Sequence, residues 1–100
     1  MKLQEYKGLV ATVCTSGDVK PQYAQAREDM RAWNIEHGFT NVEYRTFPAA
    51  LVESGRDEIM THALKEEYEW VLQIDADAGP FPNNTLMRLL HTAYEAFPHV

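Results

Sequence analysis

Two carboxylates one residue apart, Asp75 and Asp77, close the segment VLQIDADAGPFP, where an apolar run gives way to Gly79 and two prolines. Held about 4 Å apart they would repel by roughly 1 kcal/mol in water and by about 4 kcal/mol at an effective dielectric of 20. A hard divalent cation offsets that repulsion directly, because Mg²⁺ or Mn²⁺ takes one or two protein carboxylates and fills its shell with water and phosphate oxygens. An acidic protein could hold a diphosphate in this way. The plainer alternative is that both are solvated loop residues ahead of a helix N-terminus, where negative charge is mildly favoured.

These carboxylates need a scaffold, and the hydrophobic pattern supplies one. Residues 9–14, LVATVC, form a short β-branched run that ends in Thr15-Ser16-Gly17-Asp18, which reads as a buried strand entering a loop. Pro21 suits a helix start, and over residues 22–38 Tyr23, Ala26, Met30 and Trp33 recur at helical spacing before the capping Gly38. Residues 42–47 alternate Val42, Tyr44 and Thr46 against Glu43, Arg45 and Phe47, as in a strand with one solvated side that Pro48 ends. A second helix is expected over residues 51–67, with Ile59 and Ala63, and Met60, Leu64 and Tyr68, along its apolar stripe. Residues 70–74 form the third strand. Asn83 or Asn84 can cap a last helix whose apolar positions are Leu86, Leu89, Leu90, Ala93 and Phe97.

The order βαβαβα implies an α/β fold: a three-layer αβα, Rossmann-like parallel sheet with right-handed crossovers. Ligands of such open sheets bind beyond the carboxyl ends of the strands. The segments expected there are residues 15–21, 47–53 and 75–82, which puts Asp75 at a strand end and Asp77 just past it.

In this setting the chain resembles the nucleotide-binding half of GT-A-fold glycosyltransferases, in particular bacterial and phage relatives of glycosyltransferase family 2. The resemblance rests on VATVCTSGDV, LVESGRDEIMTHAL and EYEWVLQIDADAGPFPNNTLMRLL, and it extends over nearly all of the chain. It implies binding of a nucleotide-diphosphate sugar, with Asp77 coordinating a Mn²⁺ or Mg²⁺ ion that bridges the diphosphate and Asp75 nearer the ribose or a metal-bound water. It further implies that Thr15, Ser16 and Gly17 border the base and ribose. Arg56 matches the arginine of the Ala-Arg-Asn found in related chains and would contact base or phosphate, whereas Asp57 departs from that Asn. A surface pairing of Arg56 with Glu53 or Asp57 is the structural alternative. Members of this family are generally longer, with a second half that supplies the acceptor pocket and the catalytic carboxylate. The expectation is therefore a partial or minimal version of the fold, with acceptor and catalytic residue unknown.

Composition narrows the other options. The 100 residues carry 9 basic and 15 acidic side chains, a net charge of −6, and fit one domain over residues 1–100 with 45% hydrophobic content. No basic stripe suits nucleic acid. The single cysteine, Cys14, excludes an intrachain disulfide and reads as a buried thiol, and no apolar run is long enough for a membrane span, so a cytoplasmic protein is expected. None of the four histidines has ligand spacing to another, and Trp33 and Trp70 read as core. No G-x-G-x-x-G follows the first strand, which argues against a dinucleotide fold. A haloacid-dehalogenase-type phosphohydrolase places its Asp-x-Asp after the first strand, not the third. A non-catalytic interaction domain is the other alternative. The third strand is expected to expose an edge, through which the chain self-associates unless its C-terminal residues cover it.

Overall fold

The computed structural model describes residues 5–15, 20–76 and 81–96, with 94–96 described by backbone only. Among the described residues six elements follow one another: β1 (Gly8–Cys14), α1 (Pro21–Glu36), β2 (Val42–Pro48), α2 (Val52–Lys65), β3 (Trp70–Gln73) and α3 (Thr85–Ala96). The strands form one parallel sheet in the order β2-β1-β3. This is an α/β arrangement compatible with a Rossmann-like fold.

The first strand in the chain lies in the middle of the sheet, so the path from β1 to β2 runs one way across it and the path from β2 to β3 runs back. Two crossovers of the same hand must then place their helices on opposite faces. The core is divided accordingly. On one face Leu9, Ala11, Phe47 and Ile59 of α2 pack with Val13, Tyr68 and Val71. On the other, Val10, Met30 of α1, Phe39 and Leu86 of α3 pack with Trp70, Leu72 and Ile74. Alternate residues of β1 thus serve two cores, which is why the strand is apolar throughout rather than alternating.

Helix α1 starts with Pro21 in the first turn and buries Tyr23, Ala26, Met30 and Asn34. Trp33, expected in the core, is only half-buried, and its ring stacks on His37 at 3.7 Å. Asn34 takes the inward position because its side-chain amide donates to the Tyr44 hydroxyl at 3.0 Å. Helix α2 buries Gly55, Ile59 and Ala63. Gly55 permits a close approach: a Cβ there would strike the Val13 side chain. This narrow stripe leaves Met60 and Leu64 exposed, contrary to the broader apolar face expected from sequence.

Both helices end with the same device. The Phe39 amide reaches the Asn34 carbonyl at 2.8 Å, and the Tyr68 amide reaches that of Ala63 at 3.0 Å. Each bond spans a residue in the left-handed region, Gly38 at φ 91° and Glu67 at φ 59°. This is the Schellman closure, and glycine meets its backbone demand without a Cβ penalty.

Other departures from the sequence reading have local causes. Phe47 lies on the side of β2 expected to face solvent, yet it is buried, because α2 covers that face. Pro48 belongs to β2 and pairs with Cys14, which an edge strand tolerates. The Asn84 carbonyl accepts the Arg88 amide at 3.0 Å, which makes Asn84 the residue that opens α3. Along α3, Leu86 is buried and Leu90 partly so, but Leu89 and Ala93 are exposed. Phe97 lies outside the described residues.

Candidate functional site

The carboxyl ends of all three strands meet at one end of the sheet, and two backbone bonds join the segments that leave them. The Ala49 amide, after β2, donates to the Cys14 carbonyl at the end of β1 at 3.2 Å. The Lys20 amide, just ahead of α1, donates to the Ala76 carbonyl after β3 at 3.3 Å. One further ladder bond, from the Ile74 amide to the Ala11 carbonyl at 3.0 Å, carries the pairing of β3 with β1 up to Asp75. Asp75 therefore emerges beside the end of the central strand.

The point between β1 and β3 is where the chain changes direction across the sheet. Here the segments after β1 and β3 both lead to helices on one face of the sheet, α1 and α3, and the Lys20–Ala76 bond joins them. Thr15 and Asp75 stand at the carboxyl ends of these neighbouring strands, where open parallel sheets bind ligands, and both are exposed. Ser16, Gly17 and Asp77 lie outside the described residues. Arg56 is set apart on the opposite face of the sheet from α1, exposed on the second turn of α2. It forms no ion pair with a described residue, so neither Glu53 nor Asp57 holds it.

Tyr23 supports this end of the sheet from below, and the sequence reading treated it only as core. It is fully buried in the first turn of α1 and hydrogen-bonds through its hydroxyl to Thr12 Oγ1 on β1. Its ring meets that of Phe81 edge-on, with centroids 6.3 Å apart. Arg27 stacks over it at 5.3 Å. One side chain thus braces β1, α1 and the segment that leads into α3. The signal available in sequence was weak: a tyrosine in place of an aliphatic residue on a buried helix face, opposite a threonine in an otherwise apolar strand.

Among the described residues no group of three or more His, Cys, Asp and Glu side chains could hold a metal ion. Of the two carboxylates expected at such a site, Asp75 is the one among the described residues. Its carboxylate is a hard oxygen donor, exposed and without an ion pair to a described residue, as suits a cation that keeps most of its waters.

A second polar assembly lies on the α2 face at β2. Tyr68 donates to Glu43 Oε2, while Arg45 and His62 approach Glu43 Oε1 at 3.8 Å each. His62 also lies edge-on to Phe47 at 5.7 Å. Burial and the adjacent Glu43 carboxylate push the Tyr68 phenol up to about 12. Arg45, Phe47, His62 and Lys65 line an open groove of about 410 Å³ beside this cluster, together with Asp57 and Glu58. Glu43 draws Arg45 and His62 together at an exposed position, and the arrangement reads as a surface polar cluster.

Comparison of the chain with models of known protein families, with curated proteins and with solved structures yields no match in any of the three. No helix among the described residues is long and apolar enough to cross a membrane.

Proposed function

We propose that the chain is a nucleotide-sugar-binding domain of the GT-A type, a partial or minimal version of that fold, belonging to a glycosyltransferase that transfers a sugar to an acceptor hydroxyl. The observation that carries this reading is the bond between Lys20 and Ala76, which ties the segment after β1 to the Asp-x-Asp segment after β3 where an open parallel sheet binds ligands.

In this reading Asp77 and Asp75 hold a Mn²⁺ or Mg²⁺ ion. That ion would neutralise charge on the diphosphate and stabilise it as a leaving group. Thr15, Ser16 and Gly17 border the base and ribose. Arg56 offers a guanidinium fork to a phosphate or base edge, which requires an extended ligand that reaches across the strand ends.

The test is thermal stabilisation by a panel of nucleoside diphosphates and their sugars, with and without Mn²⁺, on the wild type and on Asp77→Ala. A ligand at 100 times its Kd adds about 2.7 kcal/mol of stability. The reading requires metal-dependent stabilisation by at least one nucleotide and its loss in Asp77→Ala. It fails if no nucleotide stabilises the protein in a metal-dependent way.

A further inference from the structure

A second concave site lies between α1 and the outer strand, away from the Asp75 loop. It has a volume of about 270 Å³ and is lined by Arg27, Glu28, Arg31, Val42 and Tyr44. That is below the roughly 300 Å³ at which sites for whole drug-sized ligands begin, so it suits one small group.

The site is rich in donors. Arg27 and Arg31 are four residues apart on α1 and so share one face of the helix. Arg27 is anchored, its Nη1 donating to Thr46 Oγ1 at 2.9 Å. Arg31 is half exposed and, among the described residues, pairs with Glu28 at 3.7 Å. The Tyr44 hydroxyl accepts from Asn34 Nδ2, which leaves its own hydrogen to be donated elsewhere. Burial raises the Tyr44 pKa, so the phenol keeps that hydrogen.

One donor of the lining, Arg27 Nε, is buried without a hydrogen-bond partner among the described residues. Unpaired buried groups of this kind are uncommon in folded proteins. An enclosed guanidinium N–H leaves local positive charge unneutralised. Two arginines against one glutamate give the site a net charge of +1, in a protein whose total is −6.

We propose that this groove is an oxyanion site that takes the phosphoryl group of a phosphate-bearing ligand. A tetrahedral dianion can accept from Arg27, Arg31 and Tyr44 in different directions, whereas a planar carboxylate can engage fewer of them at once. Glu28 opposes binding and sets its strength.

The experiment is a titration of the intact chain with inorganic phosphate, and separately with acetate, at constant ionic strength, followed by backbone amide NMR shifts. The expected result is saturation by phosphate at millimolar concentration, with shifts centred on Arg27, Arg31 and Tyr44, and weaker binding of acetate. Arg31→Gln, at an exposed position, should weaken phosphate binding about tenfold, as loss of a charged hydrogen bond does. Glu28→Gln should tighten it. The proposal is overturned by shifts that never saturate, by unchanged binding in Arg31→Gln, by acetate binding as tightly as phosphate, or by shifts centred on Asp75.

Discussion

The Lys20 amide and the Ala76 carbonyl, 3.3 Å apart, join two loops that are more than fifty residues apart in sequence. Lys20 already has φ −65° and ψ 142°, which proline also adopts. Lys20→Pro would therefore delete the donor while keeping the φ and ψ of residue 20 itself. Loss of about 0.5–1.5 kcal/mol of stability is expected in urea unfolding, with a fall in metal-dependent stabilisation by nucleotide. Unchanged nucleotide response would show that the bond does not organise the site.

The Tyr23 hydroxyl and Thr12 Oγ1 form a buried pair beneath the same loops. Tyr23→Phe leaves Thr12 unpaired and should cost about 1–3 kcal/mol. Adding Thr12→Val removes the orphaned hydroxyl and should recover part of that loss, so the two changes should be clearly non-additive. Simple additivity in a double-mutant cycle would count against the pairing.

Glu67 occupies a left-handed backbone position that α1 fills with glycine. Glu67→Gly removes the Cβ penalty at the end of α2 but adds freedom to the unfolded chain. The balance is expected to favour the folded state by about 0.5–1 kcal/mol, read as a higher thermal midpoint.

Gly8 and Trp70 face each other across β1 and β3, and a Cβ at Gly8 would fall within the indole ring. Gly8→Ala must displace that ring, at a cost of about 1–3 kcal/mol, and should shift tryptophan emission to longer wavelength. A variant as stable as the wild type, with unshifted emission, would contradict this packing.

Tyr68 makes stability depend on alkaline pH. Its folded pKa, about 12, lies above the ordinary 10.0. A raised pKa means that the folded state holds the proton more tightly, so the contribution is present below pH 10 and is lost as pH rises from 10 towards 12. Denaturation midpoints should fall across that window, and Tyr68→Phe should flatten the decline.

Much of the architecture was legible because each strand and helix has its own hydrophobic period, and the βαβαβα order leaves few topologies. Periodicity was less informative about which side of an element would be covered. Phe47 read as solvent-facing because a strand pattern alone does not show that α2 lies across it. Met60 and Leu64 read as core because the stripe was drawn through large residues, whereas contact with the sheet follows the small ones, Gly55 and Ala63. At the candidate site, Asp75 was readable from its place after an apolar strand. Tyr23 was not, since its role depends on Thr12 and Phe81, which only the fold brings near it.

The central position of β1 also bears on how the protein forms during synthesis. The ribosome delivers the middle of the sheet first, so β2 has a template as soon as α1 has crossed, and β3 can dock on the other side without dislodging anything already paired. A circular permutation that moved β1 to the end of the chain would keep the strand order, yet it would leave two strands waiting with open edges until the last segment emerged.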